Sequence, residues 1–286
     1  MTSIFSRMYR SLLNLLILPL FLRRFLKGNV GQEYSVGMAA KLRLLWRIFR
    51  NVRKIPSCTS WWEHVVLAET ILSVPASLEG VVVECGCFKG ASTASLSLAC
   101  SLVGRRLKVF DSFEGLPTPS NSDRSHHLPH YGEVHTYEQG AFSADMPTVV
   151  DNLKRFGASD VCDLIPGFFN DTLPSFRERC VLVFADVDLR DSLESCVRHL
   201  YPLLGHGCKL YSHEAHHLEI AQIFFDERWW SQNMGIPAPG LIGAGTGLAF
   251  NADFGSSIGY TIKRLESQKL RVVPQHAPVG RCGCAS

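Results

Sequence analysis

The chain has 286 residues, enough for one α/β domain with extra helices or two small domains. Its 46% apolar and 19% charged content excludes a disordered, collagen-like or low-complexity chain. The net charge of +3 divides unevenly: residues 1–54 hold 11 Lys/Arg against one acid (11 − 1 = +10), and residues 55–286 hold 18 against 25 acids (18 − 25 = −7). A basic leader thus precedes an acidic body, and an acidic body is not built to follow a phosphate backbone, so no nucleic-acid partner is expected.

The leader comes first, and the expected division is a helical leader over 1–58 followed by a domain over 59–286. Between Arg10 and Arg23 runs SLLNLLILPLFL, interrupted by Asn14 and Pro19. As a helix it reaches about 18 Å against about 30 Å of hydrocarbon, too short to span a bilayer. No small-residue cleavage site follows it, so it does not read as a signal peptide. The next stretch, GMAAKLRLLWRIFRNVRK, sets Arg43, Arg47, Arg50 and Lys54 on one helical stripe and Leu42, Leu45, Phe49 and Val52 on the opposite face. Such a helix either packs its apolar face on the body or on a second subunit, giving a homo-oligomer, or lies on an anionic membrane surface as a peripheral contact through residues 1–54.

From Glu79 onward, short β-branched runs alternate with helical patterns. Strands are expected at 81–84, 107–111, 161–165, 181–186 and 208–212, and a late hairpin at 246–251 with 258–264. Helical patterns fall at 91–103, 146–156, 191–204 and 215–230, and a long polar, His-rich loop spans 117–137. This alternation predicts a mainly parallel sheet covered on both faces, with an antiparallel C-terminal hairpin and N-terminal helices. Cys85, Cys100, Cys162, Cys180, Cys196 and Cys208 fall within these apolar elements and read as reduced, buried small hydrophobes. The C-x-C pairs Cys85/Cys87 and Cys282/Cys284 lack zinc-site spacing, so a reducing, cytoplasmic setting is expected.

Ligands of such sheets bind outside the carboxyl ends of the strands. Those ends carry Glu84, Asp111, Pro166-Gly167, Asp186 with Asp188, and His213-Glu214. In VVVECGCFKGAS, Gly86 and Gly90 permit a tight turn, while Ser92 and Thr93 sit where a helix N-terminus favours an anion. The spacing fits neither a dinucleotide fingerprint nor a phosphate loop, and GLIGAGTGL at 240–248 reads as a turn. HEAHH at 213–217 satisfies H-E-x-x-H, but it directly follows a strand, whereas a zinc protease needs both histidines on one helical face.

VVVECGCFKGAS, KVFDSFEGLP, IPGFFNDTLP and FADVDLRDSLES occur in the order seen in the macrocin-type O-methyltransferases, and over roughly residues 60–230 the chain resembles that family. The resemblance implies a Rossmann-like class I methyltransferase fold and S-adenosylmethionine as cofactor. Residue by residue it implies that Glu84, Gly86, Lys89, Gly90 and Ser92 hold the methionine end. Asp111 accepts from the ribose hydroxyls with Ser112 and Phe113 beside them, and Gly167 and Phe168 border the adenine.

On the acceptor side it implies a magnesium ion near the substrate hydroxyl. Asp186 and Asp188 are retained, Arg190 stands where the family usually has Tyr, and an acidic pair is replaced by His213-Glu214. The implied ligands are Asp186, His213 and Glu214, and an imidazole among them shifts preference from Mg2+ toward Mn2+ or Zn2+. Asp186 and His213 are the expected catalytic residues. The expected function is O-methylation of a hydroxyl on a small molecule or glycan, most naturally a sugar of a glycosylated natural product. The alternatives are a zinc metalloprotease on HEAHH and an inactive membrane-associated protein of the same fold.

Overall fold

Five apolar runs from the body become adjacent strands. The computed structural model describes Pro19 and residues 22–128, 133–242 and 258–264. In chain order the strands are β1 (Val81–Cys85), β2 (Leu107–Asp111), β3 (Ser125–Leu128), β4 (Glu133–Thr136), β5 (Cys162–Pro166), β6 (Cys180–Ala185), β7 (Leu204–Ser212) and β8 (Gly259–Ile262). The helices are α1 (Met38–Lys54), α2 (Trp61–Ser73), α3 (Ala91–Val103), α4 (Met146–Phe156), α5 (Phe169–Thr172), α6 (Arg190–Leu200), α7 (Leu218–Ile223) and α8 (Glu227–Met234).

The main sheet runs β5-β2-β1-β6-β7-β8, parallel throughout except that β8 lies antiparallel to β7. β1 and β6 are buried along their whole length, as their unbroken apolar runs require in a sheet covered on both faces. The chain lays β2 and then β5 on one side of β1, and β6 and then β7 on the other. The order therefore reverses between β1 and β6, and the crevice outside their carboxyl ends is where such a sheet opens to a ligand. The expected partner strand at 246–251 lies outside the described residues, as do Cys282 and Cys284. β8 pairs with β7, and β3 and β4 form a separate antiparallel hairpin within the His-rich loop.

Three departures from the sequence reading have local causes. First, α2 was not anticipated, although Ser60-x-x-Glu63 ahead of an apolar run is a helix start: Ser60 caps the Glu63 N–H and the Glu63 carboxylate takes the Ser60 N–H. Second, the helical pattern over 215–230 splits into α7 and α8, because the Asp226 side chain accepts from Trp229 N–H and starts a new helix.

Third, α1 buries a different face. Lys41, Leu44, Ile48 and Asn51 face inward, at intervals of three, four and three, while Leu42, Trp46 and Phe49 are exposed. Hydropathy misassigns this stripe because two polar residues in it find backbone or hydroxyl partners. Lys41 Nζ donates to the Lys27 carbonyl at 2.6 Å, and Asn51 Nδ2 donates to Ser95 Oγ at 3.4 Å. Arg47, expected on the solvated stripe, donates to the Phe156 carbonyl at 3.0 Å. Burial of Leu44 and Ile48 contributes about 1.5–3 kcal/mol each to holding α1 on the body. Cys85, Cys100, Cys180, Cys196 and Cys208 are buried as expected, as is Cys87; Cys162, expected to be buried, is only partly so because it opens the edge strand β5, and none of these forms a disulfide.

Candidate functional site

The crevice between β1 and β6 is built by a turn that only glycine can make. Gly86 has φ +83°, and a Cβ there would run into the Asp186 carbonyl oxygen. Its N–H reaches the Phe110 carbonyl and the Asp186 N–H reaches the Cys85 carbonyl, both at 2.9 Å, so the turn is wedged between two strand ends. Gly90, at φ +82°, leads into α3, and Phe88 between them also takes a left-handed conformation at φ +46°, which costs a non-glycine residue energy. Asp111 braces the turn from β2: Oδ2 accepts from Cys87 N–H at 2.6 Å and Oδ1 from Phe113 N–H at 2.7 Å.

The resulting cleft has a volume of about 380 Å³. Of the expected cofactor residues, Gly86, Ser92, Asp111, Ser112 and Phe168 line it; Glu84, Lys89, Gly90, Phe113 and Gly167 do not. Lys89 lays its ammonium over the Phe88 ring, and Gly167, at φ +133°, ties its N–H to the Asp111 carbonyl. Glu84 lies behind the turn, 0% exposed, and neither carboxylate oxygen has a hydrogen-bond partner. Burial pushes its carboxyl up to about 8; the Ser92 and Thr93 hydroxyls lie close enough to oppose the shift without making a well-formed hydrogen bond. A buried carboxylate left without a partner is costly, and a ligand ammonium would relieve it.

The other wall carries an imidazole set among acids. His213 Nδ1 lies 2.9 Å from Asp186 Oδ1 and 2.8 Å from Glu214 Oε1, and Nε2 faces Glu63 Oε1 at 3.5 Å. Burial opposes charge on the ring, but Asp186, Glu214 and Glu63 outweigh it and hold the His213 pKa well above its ordinary value. Burial likewise works against charge on Glu63 and Glu214, and the His213 charge overcomes it, keeping both below the usual carboxylate range. Asp186 is pushed up by burial, with His213 offsetting part of the shift, and Asp188 is pushed well up by burial and by Glu214 and Asp186. Glu63 joins this site although nothing in its local sequence points to a ligand-binding role. Its only signal is the Ser60-x-x-Glu63 pattern, and its role as a helix cap leaves Oε1 aimed at His213.

The β3–β4 hairpin borders the cleft, which His135 lines. Asp123 accepts from His126 Nε2 at 3.0 Å and from the Arg190 and Asp191 backbone N–H groups, which ties the loop to the start of α6. Tyr137 and His135 line the cleft beside His217 and Glu214. Residues 213–217 lie between β7 and α7 as a bend and a turn, so HEAHH lacks the helix on which a zinc protease depends. Two groups of side chains offer ligand atoms within 4.8 Å of one another, Asp186/His213/Glu214 and Glu214/His216/His217. Burial holds the His216 and His217 imidazoles below their ordinary pKa, His216 at about 4. Among the described residues, no helix is long and apolar enough to cross a membrane.

The sequence profile of the family described as Macrocin-O-methyltransferase (TylF) matches residues 66–214, just over half the chain. Among solved structures, the O-methyltransferase NovP shares 17% identity over 79% of this chain and 100% of its own, with a TM-score of 0.61. The calicheamicin methyltransferase CalS11 shares 15% identity over 78% of this chain and 92% of its own, at 0.49. The O-methyltransferase TomG from Streptomyces achromogenes, involved in tomaymycin synthesis, shares 13% over 77% and 89%, at 0.44. At 17% identity the likeness to NovP bears on the fold alone. No curated protein matches the sequence.

Proposed function

The chain belongs to the macrocin O-methyltransferase family and is an S-adenosylmethionine-dependent O-methyltransferase, and on that premise we propose that it methylates a hydroxyl of a sugar, free or carried on a natural product or glycan. The observation that carries the site assignment is Glu84, a buried carboxylate with no hydrogen-bond partner beneath the Gly86–Gly90 turn. In this reading Glu84 meets the methionine ammonium. Gly86, Lys89, Gly90 and Ser92 shape the turn and helix N-terminus that receive its carboxylate. Asp111, with Ser112 and Phe113, takes the ribose hydroxyls, and Gly167 and Phe168 border the adenine.

S-Adenosylmethionine supplies an electrophilic methyl group when bound. The chain's task is then to hold the acceptor oxygen in line with it and to take the hydroxyl proton. Asp186 is the proposed base. His213 Nδ1 lies 2.9 Å from one of its oxygens, and burial raises its proton affinity. The same Asp186, His213 and Glu214 atoms suit a divalent cation, Mn2+ better than Mg2+ because of the imidazole, and such an ion would polarise the acceptor oxygen. Activity that survives chelation and Glu214→Gln would show that no ion is needed.

Calorimetric titration with S-adenosylhomocysteine tests the cofactor assignment. Asp111→Ala should weaken binding by roughly 10- to 100-fold, the value of charge-assisted hydrogen bonds. Unchanged affinity would sink it.

Residues 59–286 carry the catalytic domain in this proposal, and the cysteine chemistry supports a cytoplasmic setting. The leader, residues 1–58, is proposed to attach the enzyme peripherally to an anionic membrane. Support comes from α1, whose outward face carries Leu42 and Trp46, 49% and 59% exposed, with Arg50 stacked over Trp46 and Arg53 over Phe49. Co-sedimentation with phosphatidylserine vesicles should fall in Trp46→Glu. No vesicle binding by the full chain, with concentration-dependent self-association that Trp46→Glu abolishes, would assign the face to a homo-oligomer instead.

A further inference from the structure

Glu214 turns its two carboxylate oxygens toward different imidazoles. Oε1 lies 2.8 Å from His213 Nδ1 as a hydrogen bond, and Oε2 lies 3.2 Å from His217 Nε2. The second contact has no hydrogen-bond geometry, and His217 Nε2 is buried without a hydrogen-bond partner. Across the ring, His217 Nδ1 is 3.3 Å from the Tyr137 hydroxyl. Placing the ring proton on Nδ1, where it donates to Tyr137 Oη, leaves the Nε2 lone pair without a partner in a buried site 3.2 Å from the Glu214 carboxylate. A buried acceptor left this way is costly, and a cation held jointly with the Glu214 carboxylate would satisfy it. His216, also buried, brings a third ligand atom to within 4.8 Å of the other two.

We infer that Glu214, His216 and His217 bind one borderline divalent cation of the Zn2+ type, at a site separate from Asp186/His213/Glu214 and bridged to it by Glu214. Two imidazoles and one carboxylate are a donor set that favours Zn2+ over Mg2+ and leaves a coordination position open. The supporting shell is present: Tyr137 orients His217, and the His126 and His135 rings pack edge-on against it at 5.6 and 5.3 Å. An entry path is present too, since Glu214, His217, His135 and Tyr137 all line the cleft. The spacing that resembles a protease motif is thus read differently, with ligands at 214, 216 and 217 on a turn. The inference does not depend on the methyl-transfer reading.

The test uses the full-length, chelator-stripped protein, titrated with Zn2+ by calorimetry and with Co2+ by visible d–d absorption. The wild type should bind one equivalent of Zn2+ at this site and give the intense Co2+ bands of a four-coordinate ion. An outer-shell change alone costs 10- to 100-fold, so removing two ligands in His216→Ala/His217→Ala should cost on the order of 100-fold or more. His213→Ala should keep the binding, and S-adenosylhomocysteine affinity should be unchanged in the double variant, reporting an intact fold. Equal Zn2+ affinity in wild type and double variant, loss in His213→Ala alone, or no binding by the wild type would each overturn the site. Should the double variant also lose S-adenosylhomocysteine, Tyr137→Phe replaces it, with Zn2+ affinity lowered roughly 10-fold expected and unchanged affinity fatal.

Discussion

Replacing Glu84 by Gln removes an ionisable group from the interior while keeping its shape. In the unfolded chain this carboxyl titrates at 4.5, and in the folded, cofactor-free protein burial raises it to about 8. The folded state therefore holds a proton that the unfolded state has lost between those two values, and stability falls as pH rises from 4.5 toward 8. At about 1.36 kcal/mol per pH unit the full cost is about 5 kcal/mol above pH 8, an upper limit, of which about 2 kcal/mol is already present at pH 6. Between pH 6 and pH 9 the stability of Glu84→Gln relative to wild type should thus rise by about 3 kcal/mol. Urea unfolding of both proteins at the two pH values measures it, because other titrating groups cancel in the difference. A difference that stays constant within about 1 kcal/mol would refute the argument that Glu84 is a buried carboxylate without a partner. The same reasoning requires S-adenosylhomocysteine binding by the wild type near pH 7 to release a proton, with affinity rising toward pH 8. Calorimetry in buffers of different ionisation enthalpy reads that proton directly, and Glu84→Gln should not show it.

Gly86→Ala should cost more than about 2 kcal/mol, because the methyl group meets the Asp186 carbonyl at a left-handed φ; an unshifted urea midpoint would contradict the wedge geometry. Glu63→Gln keeps the Ser60 cap but removes one of three anions around His213, so the His213 imidazole should deprotonate at lower pH than in wild type. An imidazole NMR titration with no downward shift would show that Glu63 does not act on it. Leu44→Ala should lower stability by about 2–4 kcal/mol and Trp46→Ala by less than about 0.5. The reverse order in thermal or urea melts would mean that α1 packs on the face its hydropathy suggests.

Much of the fold is legible from residues alone because it depends on local pattern. The runs Val81–Cys85 and Leu107–Asp111, the helices over 91–103 and 146–156, and the acids that end the strands all follow from periodicity and turn chemistry. The membership of a methyltransferase family is likewise carried by contiguous blocks, DSFEGLP and PGFFNDTLP among them. Tertiary structure decides what contiguous pattern cannot encode. Which face of α1 is buried depends on backbone carbonyls at Lys27 and Phe156 that accept from Lys41 and Arg47. The three carboxylates around His213 come from α2, the end of β6 and the residue after His213 itself, so their convergence is invisible until the sheet is assembled.

Net charge has the same limit. An acidic body at −7 says that carboxylates are in excess, a property of composition fixed by the sequence alone. Whether each one is a surface charge, a helix cap or a buried group in need of a cation is set by solvent access and by the nearest proton, and those exist only once the chain has folded.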